Sequence, residues 1–487
     1  ASGSHSVVIA GYSQTAAGYA CVIAGGNYNH IMGVRNGFIG SGKSNIISSN
    51  DYGFIGNGLE NKVNGLRAGI LNGTRNQASG TDSVVVTGQS NLALNTASAV
   101  LSGQANAALA VNSAIITGNC NKISAAAGGS LIAGGTYNQV DGYCSAITCG
   151  KNNRVKSQFA TISSGLNNVV DVSADYSNIN TGKNNSVQSK YSFIGGGTCN
   201  VIYSSISDSS FIGAGTNNYI YGAKSGIITG KCNKIVGVGT VYSTIVSGFR
   251  NQVNNLNSSV ISGKYNTVNS PNSFIGGGVC NNLSGNYATM VAGKANEATG
   301  DFSFVGGGLY NTATGKYSIV VSGSYNKAKG LYSAILGGHR NTAAAMRSIV
   351  IGGCSNRANT PSSIVVGGSC NLATGANYAS VFSGKRNVSR GLYSTVVGGF
   401  RQDAQSLGTF IGGGRLNTAI GNNSLVVGGV ANGTRGNYSS VLGGKENYAY
   451  SAYCTVLSGR SNLVYGAFSG ILSGYKNFID PAGIAAC

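Results

Sequence analysis

Tryptophan is absent from this sequence, proline occurs only 3 times, and acidic residues only 12 times in 487 positions. Charged residues of both signs together make up 9 %. So few carboxylates leave little for acid–base chemistry, which needs titratable groups converging on one place. The three histidines, His5, His30 and His339, stand far apart. No HExxH, phosphate-binding P-loop or Ser-His-Asp set appears. The regular Asp column that binds Ca²⁺ in some solenoid repeats is missing too. The chain therefore reads as no enzyme, with no cofactor and no metal site. No apolar run reaches the about 18 residues a membrane-spanning helix needs, and no signal-peptide pattern is visible. Scarce proline, with glycine not at every third position, excludes collagen. Disorder is excluded by the 42 % of apolar residues, most of them small or β-branched.

What is abundant is glycine, 78 residues, and it is periodic. A signature Ser-x-Val/Ile-x-Gly/Ser-Gly-x-x-Asn-x-Ala-x-Gly recurs from end to end, as from Ser318 through Gly323 and Asn326 to Gly330. With the Asn as anchor, copies stand at Asn29, Asn45, Asn61, Asn76 and Asn91, and again at Asn296, Asn311, Asn326, Asn341, Asn356 and Asn371. Counting the whole chain gives 31 copies, with Gln14 and Gln402 replacing Asn in two. Glycine stands three residues before the anchor in every copy, from Gly11 to Gly474. Most steps are 15 residues, stretching to 16, 17 or 18 in a few. That period is too short for a helical hairpin or a propeller blade. It fits two short strands and two tight turns, one coil of a solenoid. The predicted fold class is all-β: a parallel β-solenoid of about 31 coils, two strands each, in one continuous repeat domain over 1–487. Stacking at roughly 4.8 Å per coil gives a rod of roughly 150 Å. The anchors then form an Asn ladder, each amide bonding to the next coil. Extra residues near 125–129 and 236–240 are expected to bulge as loops on one edge.

The two strands differ. The first is often apolar on both faces, as in Ser318-Ile319-Val320-Val321 and Ser363-Ile364-Val365-Val366; the second is apolar on one, as in Asn326-Lys327-Ala328-Lys329. A strand buried on both sides needs a cover beyond its own coil. Self-association along that face is the simplest cover, and three rods about a common axis is the arrangement it favours. The last repeat runs out at Asp480-Pro481 and the ends read as bare. Flanking domains removed, or rods meeting end to end, would each account for that.

Net charge is +20. It favours an anionic partner such as an acidic polysaccharide, phosphate or nucleic acid, or serves only solubility. Half of the 32 Lys and Arg fall in the two positions between Gly and the anchor. Among them are Lys43, Arg75, Lys264, Lys294, Arg340, Lys385, Arg386, Arg401, Arg415, Lys445 and Arg460, opposed there only by Glu60 and Glu446. Stacking makes them a basic ridge that a polyanion would follow; exposed turns also tolerate charge for its own sake. A second column, just before the strand Ser, holds Tyr52, Tyr191, Tyr242, Tyr287, Tyr317, Tyr332, Tyr378, Tyr393, Tyr438 and Tyr453 with Phe159, Phe302 and Phe468. It reads first as a stabilising ladder and second as a grip for sugars. The 11 Cys fit neither a zinc pattern nor a compact disulfide framework. Five of them (Cys120, Cys199, Cys232, Cys280, Cys370) precede the anchor in a turn expected to be exposed, and free thiols or bonds between rods or to Cys487 both stay open.

Segments such as Ser348-Ile349-Val350-Ile351-Gly352-Gly353 and Ser394-Thr395-Val396-Val397-Gly398-Gly399 resemble the head repeats of YadA-type trimeric autotransporter adhesins. The resemblance covers essentially the whole chain and extends to the Gly/Asn repeats of large-virus fibres. It implies a left-handed parallel β-roll, a homotrimer, and a place on a cell or virion exterior. The repeat here is commonly 15 residues, against 14 in the family, and no neck, stalk or anchoring barrel follows. A structural surface fibre for attachment is the leading expectation. A filament subunit stacking end to end is the alternative.

Overall fold

Each repeat carries short runs of two or three β-branched or apolar residues between glycine-rich turns, too few for anything but very short strands. The computed structural model describes residues 1–203, 208–237, 240–481 and 485–486. It is all-β: a parallel β-solenoid of about 31 turns of ~15 residues, two short strands per turn, without a helix among the described residues. In one repeat the first strand is Ala334–Ile335 and the second Thr342–Ala343. Each lies in register on the same strand of the next coil, Ala334 on Ile349 and Ile335 on Val350, Thr342 on Arg357 and Ala343 on Ala358. Hydrogen bonding therefore runs along the stack, and every coil seals the backbone of its neighbour.

The chain forms two compact units, Ala1–Arg250 and Asn251–Cys487. In the first, one sheet is built from first strands, Val7–Val8 to Thr244–Ile245, and the other from second strands, Thr15–Ala16 to Lys234–Ile235. In the second unit the second strands run from Gln252–Val253 to Phe478–Ile479 and the first strands from Ser259–Val260 to Gly470–Ile471. The same repeat runs through both units.

Inside a coil, alternate residues point in. Ser333, Ile335, Asn341 and Ala343 have no exposed surface, while Leu336 is 45 % exposed. Large residues on one strand face small ones on the other. From Ala298 to Ala373 the second strands contribute an alanine column, against Val305, Val320, Ile335, Val350 and Val365. The interior is thus filled at high density with no room for a larger side chain.

The turns are tighter than the glycine pattern discloses. Gly338, three before the anchor, has φ of 89°. A Cβ there would stand 2.2 Å from the carbonyl oxygen of Gly353 and 2.5 Å from Nδ2 of Asn341, so both conformation and space demand glycine. Two further residues in that coil are left-handed without being glycine, Tyr332 (φ 58°) and Arg340 (φ 54°). Each such residue costs roughly 1–2 kcal/mol. Their N–H groups bond to the preceding coil, Tyr332 to Lys316 O at 3.0 Å and Arg340 to Ser324 O at 2.9 Å.

Two expectations change here. The extra residues at 125–129 do not form a bulging loop: they make a second tight turn that tucks Ala127 fully inside, and Ala174 does the same in the other 17-residue step nearby. Part of the segment at 236–240 lies outside the described residues. The end of the last second strand is not bare, because Ala485–Ala486 pairs antiparallel with Phe478–Ile479. That pairing occupies the edge a further coil would use.

Candidate functional site: three columns on the solenoid surface

The anchor amides form the inner column. Asn326 Oδ1 accepts the backbone N–H of Asn341 at 3.0 Å. Its Nδ2 donates to Gly338 O at 3.0 Å in that same following coil, and to Ser322 O at 3.0 Å in its own. The pattern repeats at Asn29, Asn45, Asn61, Asn76 and Asn91 and at Asn296, Asn311, Asn341, Asn356 and Asn371. The partners are chiefly backbone groups; direct amide-to-amide contact, as between Asn45 and Asn29 at 3.1 Å, is occasional. Gln402 keeps part of the role, accepting from Asn417 N at 2.9 Å while its longer side chain donates to Gly413 O at 3.0 Å, one residue before the carbonyl an anchor Asn uses. All of these amides are buried, so the column offers nothing to a ligand.

The outward face of the first strands is the second column. Its two positions per coil, such as Ile319 and Val321 or Ile349 and Ile351, hold no charged residue in any of the 31 first strands. Sizes compensate along it. Phe38, Phe193, Phe211, Phe274, Phe304 and Phe410 are each followed two residues later by glycine, and the ring lies over it: a Cβ on Gly306 would stand 3.3 Å from Cε1 of Phe304. Where the first position is Gly, Ser or Thr, the second is usually large, as at Gly226 with Ile228 or Ser380 with Phe382. Within each unit the result is a mainly apolar, uncharged strip. Ile319, Val321, Leu336, Ile351 and Phe382 are each 40–46 % exposed. A polar window interrupts it in the first unit at Thr148, Thr161, Ser163, Asn178 and Asn180.

The turns carry the third set. The residue two before the anchor pairs with its counterpart one coil away, as Lys385 with Phe400, Phe400 with Arg415, Arg415 with Val430 and Val430 with Lys445. In the second unit cations fall on alternate coils in two runs, Lys264 to Lys294 and Lys385 to Lys445; between Lys294 and Lys385 the column carries no Lys or Arg. Arg75, Arg340, Arg386 and Arg401 sit one position further on, in the left-handed turn residue. Some meet acids: Arg75 with Glu60 at 2.7 Å, Lys445 with Glu446 at 3.3 Å and Arg460 with Glu446 at 3.9 Å. The Glu446 carboxyl is held below its ordinary value by the Ser461 hydroxyl first and Lys445 next. Others lie on rings, Arg401 and Arg415 on Phe400 at 5.3 and 5.7 Å. Lys43 takes its place in the same bridged column, between Asn27 and Leu59.

The aromatic residues before the strand Ser stack face to face. Tyr287, Phe302, Tyr317 and Tyr332 are each 4.9 Å apart with planes within 13°. Tyr438, Tyr453 and Phe468 do likewise at 5.0 and 4.9 Å. Rings inside each run, such as Phe302, Tyr317 and Tyr453, have both faces spent on neighbours, which leaves their edges outward. Tyr176, between Phe159 and Tyr191, belongs to this ladder and escapes a periodic reading because a 17-residue step displaces it. A second tyrosine set lies at the end of the second strand: Tyr203 on Tyr221 at 4.1 Å and Tyr450 on Tyr465 at 4.3 Å. Burial, with a hydrogen bond to Tyr203, pushes the Tyr221 phenol up to about 12.

The ten described cysteines are free thiols. Cys280 and Cys370 are exposed, Cys120, Cys199 and Cys232 half-buried, and Cys21 and Cys454 replace the strand Ser in the interior. Cys487 lies outside the described residues. No group of three or more His, Cys, Asp or Glu side chains is placed to hold a metal ion among the described residues. No helix is long and apolar enough to cross a membrane among those residues. No protein-family model and no curated protein matches the chain.

Proposed function

We propose that this chain is a structural surface protein, a homo-oligomeric β-solenoid fibre, three copies about one axis, exposed on a cell or virion exterior for attachment or as an outer appendage. One observation carries the reading: the first-strand face is free of charge in every coil, level in profile, and open to solvent in a single chain. Soluble monomers rarely leave an apolar patch larger than a few hundred Å² uncovered. A second copy of the same face is the cover whose spacing fits without adjustment, because both rise by one coil at a time. The likeness of the repeat to YadA-type adhesin heads supports three copies over two. The reading leaves the protein a mechanical part without catalysis, consistent with twelve carboxylates of which several are spent on ion pairs. The end-to-end filament is the weaker reading, since the pairing of Ala485–Ala486 blocks one sheet edge against a further coil.

The test is the particle mass by analytical ultracentrifugation with negative-stain imaging. Discrete particles of three 49.1-kDa chains are expected. Replacing Ile319 and Val321 together by Lys, at exposed positions, should release monomers while leaving the far-ultraviolet circular dichroism unchanged. A wild-type chain that sediments as a monomer at micromolar concentration overturns the proposal, and open-ended polymers would install the filament instead.

A further inference from the structure

The acids and bases are not spread evenly. In the Ala1–Arg250 unit, five of the 15 Lys and Arg pair with acids across coils, among them Arg67 with Asp82 at 2.6 Å, Arg154 with Asp141 at 2.8 Å, Lys156 with Asp171 at 3.2 Å and Lys190 with Asp175 at 3.4 Å. In the other unit, Asp301 and Asp403 are consecutive acids, and the hundred-odd residues between them hold ten cations and no carboxylate. One of the ten, Arg390, pairs with Asp403 at 2.9 Å; the rest meet no acid among the described residues. Between Asp208 and Glu297 six cations also stand without a carboxylate among them, so the 302–402 stretch is the denser of two. Here the cations reach from the turn onto the outward face of the second strands.

The register shows how the cations lie. Lys327, Thr342 and Arg357 follow one another on successive coils, so the two charges stand two coils, roughly 9.6 Å, apart with a hydroxyl residue between. Arg340 stands in the adjoining turn with its guanidinium 5.9 Å from the Tyr325 ring. Between Arg340 and Arg357 is an open recess of about 380 Å³, lined also by Ser355, Cys370, Asn371 and Leu372. Lys329 extends the track along the strand, and Lys385 and Arg386 along the turns; all are exposed.

We infer that this acid-free stretch is a binding track for a linear acidic polysaccharide, with a sulfate or carboxylate held at the recess between Arg340 and Arg357. Guanidinium groups pair with such oxyanions through two parallel hydrogen bonds. The uniform coil rise repeats the cations along one direction, which a flexible linear chain can follow and a compact anion cannot. Nucleic acid fits less well. Single strands are gripped by stacking bases on open aromatic faces, and both faces of Tyr317, inside the ladder, are already covered by Phe302 and Tyr332. Duplexes are read by an element that enters a groove, and a level sheet face has none. The inference does not rest on self-association, since it uses the second-strand face and the turns beside it.

The probes are immobilised heparin, which carries sulfate and carboxylate, and polygalacturonate, which carries carboxylate alone, with binding of the full chain followed against salt. The variant combines Lys327→Gln, Arg340→Gln and Arg357→Gln. A control removes the same charge from the other unit through Lys122→Gln, Lys183→Gln and Lys231→Gln. The track variant should bind at least ten-fold more weakly with a salt slope about two units shallower, and the control should change less than two-fold. Retention on heparin alone assigns the recess to sulfate, and retention on both to either oxyanion. Equal losses in the two variants would reduce the effect to net charge and overturn the inference. So would failure of the wild type to bind either polymer, or stronger competition by an oligonucleotide at equal charge. Particle mass, measured on the same samples, reports separately on the fibre proposal.

Discussion

The buried side-chain amide of Asn326 has three partners, and each belongs to the backbone. Removing it at Asn326→Ala strands Asn341 N–H and Ser322 O and takes one of two bonds from Gly338 O, which keeps the Ser324 N–H at 2.9 Å. A loss of about 3 kcal/mol or more is expected, since each buried group left unpaired costs about 1–3 kcal/mol. Asn326→Gln should be milder, because Gln402 keeps the bond from the next anchor's N–H and one donor bond to the next coil. Asn326→Asp should be the worst of the three, since it removes the donor and buries a charge. Hydrogen exchange of the Asn341 amide ranks them, and an Asp variant as stable as the Gln variant would refute the account. The serine column behaves differently. The hydroxyls of Ser303, Ser318 and Ser333 are buried without a partner, whereas Ser348 donates to Ala345 O at 2.7 Å. Ala288 and Ala379 fill the same column with no exposed surface. Ser318→Ala should therefore be neutral or stabilising, and Ser348→Ala should cost about 1 kcal/mol, read from urea melts. The sequence marks both columns by period alone. It does not mark which hydroxyls find a carbonyl, because that depends on a turn carbonyl's aim rather than on residue type.

At the level of the coil, local rules were largely legible. Ser-x-Val/Ile and Asn-x-Ala alternate with period two, and both become strands with those residues inward. The glycine before each anchor is readable as a turn, but its second reason, the approach of the next coil's carbonyl, is tertiary. Gly338→Ala should destabilise by about 3 kcal/mol, as expected for overpacking against backbone, while Gly337→Ala, where a Cβ would meet only the Ser322 hydroxyl at 3.3 Å, should be mild. Thermal melts of the pair check this, and similar melting temperatures would contradict it. Left-handed Tyr332 and Arg340 were not legible, since nothing in either residue type favours that conformation. The inserted residues were misjudged for a related reason. A small residue such as Ala127 can close a corner only when the coils above and below leave a space of its size.

For the molecule as a whole, charge placement separates the two units, and acid should reveal it. The Asp141 carboxyl is lifted by burial but brought lower on balance by hydrogen bonds from Ser124, Gln139 and Arg154. Asp171 is likewise pushed up by burial and lowered overall by the Val172 N–H and by Lys156. A carboxyl depressed by folding stabilises the fold above its unfolded value of about 3.9 and loses that contribution as pH falls through the folded one. Amide exchange around Arg154–Val155 should thus accelerate only below about pH 4, and Asp141→Asn should abolish the dependence. The acid-free span from Phe302 to Gln402 has no carboxyl to titrate and should show no such step; a step of equal size there would contradict the assignment. By itself the sequence determined the repeat, the two strands of each coil and the identity of the buried columns. It could do so because a coil of 15 residues is specified by its own pattern and copied by its neighbours. The tertiary structure decided what lies across coils: the backbone partners of the amides, the levelled apolar face, the closed faces of the aromatic ladders and the meeting of Arg340 with Arg357 at one recess. Those depend on which residue sits one coil above another, and stacking sets that neighbour where chain order alone does not.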